Sequence, residues 1–257
     1  MRTIIGRSRS FFEQAEYRIR FERGERGLRA IIRDCSVVVI VDVLSFSTAA
    51  DVAVTAGARV FATPYSTDVR EVALRHNAIY AVARGEETKG RPYSLSPDTL
   101  LTVPPDSQLV LPCMDGATLI ATAQQGGSRW IMTGCLRNAS AAAAFINKHF
   151  ASDNIAIVAA GERWPNFTLR PALEDDLAAG AILSQLDLTD ASPEAKSVAG
   201  AFLAMSGNLA NAVRTSVSGR ELIELGYPHD VESAVQYGVS RTVPVVGRDG
   251  FLTTAVY

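Results

Sequence analysis

With 257 residues, 47% of them apolar and 20% charged, the chain has the composition of a folded globular protein and not of a disordered one, and it is long enough to bury a large core in a single domain spanning residues 1–257. A formal net charge of −2, with acidic and basic residues interleaved, excludes the one-sided positive surface of a nucleic-acid binder, so no nucleic-acid partner is expected.

The amino terminus, Met-Arg-Thr-Ile-Ile-Gly-Arg-Ser-Arg, has no apolar stretch of signal-peptide length, and no later run reaches the length of a membrane span. No membrane partner is expected, and the expected location is cytoplasmic. Tyr17, Ile19 and Phe21 alternate with charged residues as in a half-exposed strand, and residues 24–33 have helical spacing. The β-branched run 37–41 predicts a strand buried on both faces, leading through Asp42 to Ser47-Thr48 and an alanine-rich helix that ends near Gly57.

The βα alternation then recurs. Strands are predicted over 59–62, 78–83, 108–111, 130–133 and 155–159, and helices over 68–76, 117–125, 139–150 and 173–186. Residues 193–226 read as helix with breaks, and residues 243–256 as a hairpin around Arg248-Asp249-Gly250. The predicted class is therefore α/β: three layers, α/β/α, with a largely parallel or mixed sheet, a helical C-terminal part and a terminal β-hairpin. The segment 195–213 has a broad apolar face that suits packing either inside the molecule or across a homodimer. Residues 84–105 form the longest stretch without a periodic pattern and are expected to line the active site.

Carboxyl ends of strands in such a sheet, with the helix amino termini beyond them, make the natural ligand crevice. Four strand ends carry polar groups: Asp42 to Thr48, Cys113 to Thr118, Gly134 to Ser140, and Gly161-Glu162-Arg163 with Glu174-Asp175-Asp176 beyond. Backbone N–H groups at helix starts suit phosphate oxygens, and magnesium needs only one or two carboxylates besides substrate and water. Asp42, Glu86, Glu174 and Asp175 are candidate metal ligands, and Asp42 leads them because an acid ending a buried strand needs a partner or a metal. Taken singly, Ser47, Thr48, Asn138 and Ser140 read first as simple helix caps, and Glu174, Asp175 and Asp176 read also as complements to a helix dipole.

Cys35, Cys113 and Cys135 are odd in number and widely spaced, which fits a reducing compartment and core positions better than disulfides, a metal site or nucleophiles. His76, His149 and His229 are scattered and read as structural or surface residues. There is no Gly-x-x-x-x-Gly-Lys-Ser/Thr loop and no Gly-x-Gly-x-x-Gly turn. Leu44 stands two residues after Asp42, which excludes an Asp-x-Asp phosphatase nucleophile, and no cysteine has an arginine six positions on.

Taken in order, Val-Asp-Val-Leu-Ser-Phe-Ser-Thr (41–48), Leu-Ser-Pro (95–97), Asp-Gly (115–116), Gly-Cys-Leu-Arg-Asn-Ala (134–139), Ala-Ala-Gly-Glu-Arg (159–163), Leu-Glu-Asp (173–175) and Ser-Gly-Arg-Glu-Leu (218–222) with Asp230 resemble the 2-phosphosulfolactate phosphatase family, its bacterial branch in particular. The resemblance implies a magnesium-dependent hydrolase converting 2-phosphosulfolactate to sulfolactate and phosphate, as in coenzyme M synthesis and related sulfonate metabolism. Asp42, Glu174 and Asp175 would be catalytic and, with Glu86, would hold Mg2+. Ser45, Ser47, Thr48, Ser96, Asp115, Gly116, Arg137, Asn138 and Arg163 would bind the anionic substrate. The chain departs from the family's usual Asn-Gly-Thr or Asn-Gly-Ser at Asp115-Gly116-Ala117, and has Gly238 where an acid is usual. Those departures keep open two alternatives: action on another small phosphorylated or sulfonated carboxylic acid, and a non-catalytic relative.

Overall fold

A computed structural model describes residues 11–255, so the amino-terminal reading and the last residues of the predicted terminal hairpin lie outside the described residues. The strands are β1 (Ile19–Arg23), β2 (Val37–Val41), β3 (Arg59–Thr63), β4 (Ile79–Tyr80), β5 (Gln108–Pro112), β6 (Trp130–Gly134), β7 (Ile155–Ala159), β8 (Glu162–Arg163), β9 (Leu169–Arg170), β10 (Pro244–Val246) and β11 (Leu252–Thr254). The helices are α1 (Gly24–Ile31), α2 (Phe46–Thr55), α3 (Val69–His76), α4 (Pro97–Leu100), α5 (Asp115–Gln125), α6 (Ala139–His149), α7 (Leu173–Leu183), α8 (Pro193–Met205), α9 (Leu209–Thr215), α10 (Val217–Glu224) and α11 (Pro228–Ala234).

Nine strands form one sheet in the order β1-β7-β2-β6-β10-β11-β3-β5-β4, while β8 and β9 form a separate small hairpin. All five residues of β2 are fully buried, as a β-branched strand covered on both faces requires. Val37, Val39 and Val41 pack with α6, α7 and α8, and Val38 and Ile40 with α1, α2 and α5. At roughly 1.5–3 kcal/mol for each buried Val or Ile, this strand anchors both layers. The apolar face expected at 195–213 is used internally: Ala195, Val198, Ala199 and Phe202 are buried, and Val198 and Phe202 lie against Gly180 of α7.

Strands β1, β7, β2 and β6 are mutually parallel, as are β3, β5 and β4. Between them, β6 to β10, β10 to β11 and β11 to β3 are all antiparallel, so the two parallel halves run in opposite senses. In a flat sheet their carboxyl ends would lie on opposite edges. A natural twist of roughly 20–25° per step accumulates to on the order of 100° between β2 and β5, which swings the two ends toward each other.

Short elements depart most from the sequence reading. Of the predicted strand 78–83 only Ile79 and Tyr80 form β4, and the Ala81 N–H still donates to the Val110 carbonyl of β5 at 2.9 Å. The β8–β9 hairpin and helix α11 carry no periodic signal and were not expected. The stretch 84–105 is not structureless: it holds α4 and the isolated bridges Val82 to Ser94 and Thr88 to Arg91. Among the described residues no helix is long and apolar enough to cross a membrane.

Candidate active site

The turn after β2 is built by its own polar groups. Asp42 Oδ1 accepts the Phe46 N–H at 3.1 Å, the Asp42 carbonyl accepts the Ser47 N–H at 2.7 Å, and the Asp42 N–H donates to Ser47 Oγ at 3.1 Å. The Ser47 hydroxyl donates in turn to the Ile40 carbonyl at 3.2 Å, and that of Thr48 to the Val43 carbonyl at 2.7 Å. Both hydroxyls are fully buried and spent on the backbone, so they shape the turn instead of facing a ligand.

Asp175, at the start of α7, joins this turn to the one after β7. Its two carboxylate oxygens accept the Val43 N–H at 2.7 Å and the Gly161 N–H at 2.8 Å. Gly161 adopts a φ of +71°, and a Cβ there would come within 2.9 Å of the Arg170 carbonyl oxygen, so glycine is required where the chain enters β8. The neighbouring acids have separate tasks. Asp176 makes a two-pronged ion pair with Arg23, both contacts at 2.8 Å, and Glu174 is buried with Oε2 accepting the Ser216 hydroxyl at 3.1 Å.

Asp42, Glu162 and Glu174 form the electrostatic centre. Burial pushes the Asp42 carboxyl up to about 7; the Phe46 N–H and Arg84 oppose the rise, and Asp115 and Glu174 add to it. Burial, with Asp42 and Glu174 as the next contributors, raises Glu162 to about 8. Asp175 is also raised well above the carboxylate range, by burial first and then by Asp42 and Glu174. Among the described residues, none of Asp42, Glu162 and Glu174 is in an ion pair with a basic side chain.

The four acids expected to share a metal are not brought together as one set. Glu86 is exposed on its loop, and both Asp175 oxygens are engaged by backbone N–H groups. No group of three or more His, Cys, Asp or Glu side chains among the described residues is arranged as a metal cage. Magnesium takes one or two carboxylates and completes its shell with water and substrate oxygens. The hard oxygens of Asp42 and Glu174, which form no ion pair among the described residues, are of the kind such an ion takes, and Glu162 interacts with both.

The remaining expected residues divide clearly. Gly116, in the first turn of α5, lies against the Phe46 ring, and Asp115 forms an ion pair with Arg163. Asp115 thus meets a guanidinium, and Arg163 is engaged. Ser45 Oγ accepts from Arg84 Nη2 at 2.5 Å, and the Ser96 hydroxyl donates to Asp230 at 2.9 Å. Two expected substrate residues are turned elsewhere. Arg137 pairs with buried Asp51 at 2.9 Å and binds the Ser233 carbonyl, and the Asn138 amide is used up on Cys135 and Thr133 of its own turn and strand and on the Thr242 carbonyl just before β10. Cys35, Cys113 and Cys135 are buried free thiols, and burial raises each of them, as expected of core residues.

Three contributors were missed. Glu162 stood inside the Gly161-Glu162-Arg163 strand end but was not weighed as a site residue. Arg84 opens the loop that was expected to line the site. Tyr65, after β3, is half exposed, and burial pushes its phenol up, with Arg84 opposing and Cys113, Asp42 and Glu162 adding to the rise. The family model described as 2-phosphosulpholactate phosphatase matches residues 26–249 of the chain. No curated protein matches it.

Proposed function

Because the chain belongs to the 2-phosphosulfolactate phosphatase family, a family of phosphoric monoester hydrolases, we propose that it hydrolyses 2-phosphosulfolactate to sulfolactate and phosphate with the help of Mg2+. The observation that carries this reading is the unpaired acid cluster: Asp42 and Glu162 raised to about 7 and about 8 beside buried Glu174. Carboxylates so placed call for a cation, and phosphoryl transfer depends chiefly on positioning and charge compensation.

In this reading Asp42 and Glu174 hold the ion, which when bound supplies charge neutralisation to the phosphoryl oxygens. The Asp175 clamp keeps the two turns in register, so that the Asp42 carboxylate stays where the ion is needed. Amide N–H groups in the first turn of α5, close to Gly116, stabilise phosphoryl oxygens through the positive end of the helix dipole. Glu162, whose carboxyl is raised by burial first and by Asp42 and Glu174 next, is the group to give a proton to the sulfolactate oxygen as water attacks phosphorus and the ester P–O bond breaks.

A second reading is favoured by the Asp115–Arg163 ion pair, which neutralises a guanidinium that a highly anionic substrate would use. Here the same machinery acts on a less charged phosphorylated acid. Phosphate release separates the readings. Purified protein with Mg2+ should release phosphate from 2-phosphosulfolactate, and Asp42→Ala should lower the rate by at least about 100-fold, as loss of a metal-held charge does. No release above a metal-free blank overturns the phosphatase reading. Faster turnover of phospholactate than of 2-phosphosulfolactate overturns the substrate and favours the second reading.

A further inference from the structure

Arg84 is held from three sides. Its Nε donates to Asp230 Oδ2 at 2.8 Å, its Nη2 donates to Ser45 Oγ at 2.5 Å, and its guanidinium carbon lies 5.7 Å from the centroid of the Tyr227 ring. Asp230 is 3% exposed, and the same Oδ2 accepts the Ser96 hydroxyl at 2.9 Å. One buried carboxylate on α11 therefore grips both ends of the loop that begins at Arg84 and closes at Ser96. Nη1 of Arg84 has no hydrogen-bond partner among the described residues, and the charge acts on Asp42 across the Ser45 turn. Arg137 is committed to Asp51 and Arg163 to Asp115, and Arg170, which acts on Glu162, donates to Ser218, whereas Arg84 keeps an open edge and acts on Asp42.

Locking a guanidinium against a carboxylate, a hydroxyl and a ring removes most of the rotamer freedom it would lose on binding, the mark of a preorganised oxyanion receptor. A substrate carrying a phosphoryl group, a carboxylate and a sulfonate presents more anionic groups than one divalent ion can serve. The sulfonate, whose charge is spread over three weakly basic oxygens, is the poorest of these as a ligand for a hard cation and the one left for an arginine. Resting on the proposed phosphatase reading, we propose that Arg84 is the specificity-determining residue that binds the sulfonate, and that Asp230, supported by Ser96, is the residue that positions it.

The test compares 2-phosphosulfolactate with 2-phospholactate, which lacks the sulfonate, for the wild type, Arg84→Gln, Arg84→Lys and Asp230→Asn. Arg84→Gln should raise KM for the sulfonated substrate roughly 10- to 100-fold more than KM for phospholactate, the worth of a charge-assisted hydrogen bond, whatever the shared change in kcat that its charge on Asp42 brings. Arg84→Lys should recover part of the loss, and Asp230→Asn should move KM in the same direction by less. A damaged fold would depress both substrates alike, so the ratio between them is the readout. Equal effects on the two substrates, or an effect confined to kcat, overturn the proposal. Calorimetry with sulfolactate against lactate gives a readout free of turnover. Sulfolactate binding that Arg84→Gln abolishes supports the assignment even if the wild type releases no phosphate, which would sink only the phosphatase reading. Binding unchanged by Arg84→Gln, or absent from the wild type, overturns the assignment.

Discussion

Asp175 shows how a residue chosen for one reason works for another. Its place beside Glu174 suggested a metal ligand, but its oxygens accept backbone N–H groups from Val43 and Gly161. Replacing it with alanine strands two buried donors, at about 1–3 kcal/mol each, so Asp175→Ala should lose roughly 2–6 kcal/mol in urea denaturation. A loss below about 1 kcal/mol would show that the two turns do not depend on this carboxylate. The same lesson holds for Ser47, Thr48 and Asn138, whose polar groups close their own turns. Sequence narrows such residues to a cap or a ligand, and only the surrounding chain decides which. Asp42 combines both: Oδ1 accepts the Phe46 N–H at the start of α2, and its carboxyl interacts with Asp115, Arg84 and Glu174.

The contact between α2 and α5 decides a second question by magnitude. Gly116 lies in the first turn of α5, where a Cβ would fall 2.1 Å from Cδ1 of the Phe46 ring, far inside any tolerable contact. Alanine is the better helix former by about 1 kcal/mol, yet overpacking a filled site costs about 1–3 kcal/mol and occasionally more. Gly116→Ala should therefore lower Tm, and Phe46→Leu in that background should cost less than Phe46→Leu alone, a coupling that a double-mutant cycle measures. Additive effects would show that the ring is not the obstacle. Long elements such as β2, β7 and α7 were legible because burial on both faces leaves a continuous apolar run bounded by polar residues. The two-residue strands of the β8–β9 hairpin are too short to show one, and so Glu162 and Arg163 were read as a strand end and not as part of a hairpin over the site.

Across the molecule, the acid cluster couples stability to pH and to magnesium. Asp42, Glu162 and Asp175 all have folded-state values above their ordinary ones of 3.8, 4.5 and 3.8, so the folded protein binds more protons than the unfolded chain between those values and the raised ones. The stabilising contribution of Asp42 and Glu162 is complete below about pH 4 and is lost as pH rises through about 7 to 8, and Asp175 acts in the same direction. Metal-free protein should accordingly show a Tm that falls from pH 5 to pH 8. Added Mg2+ should raise Tm most at the upper end of that range, with the gain removed in Asp42→Asn. A flat or rising Tm in chelator, or a magnesium effect that survives Asp42→Asn, would show that the cluster is not what the ion stabilises.

Alternating buried strands and amphipathic helices, read along the chain, were enough to establish an α/β protein and to mark Asp42, Glu174 and the 84–105 loop, because hydrophobic period and the cost of burying a charge are local properties. The partners of those residues were not local. Three antiparallel steps reverse half of the sheet, and the accumulated twist brings the ends of β2 and β5 and the loop after β4 to one place. Which arginine meets which acid followed from that convergence: Asp51 took Arg137, Asp115 took Arg163, and Asp230 held Arg84 at the rim. Ion pairs between residues far apart in the chain are set by where the backbone carries them, and no spacing within the sequence records that.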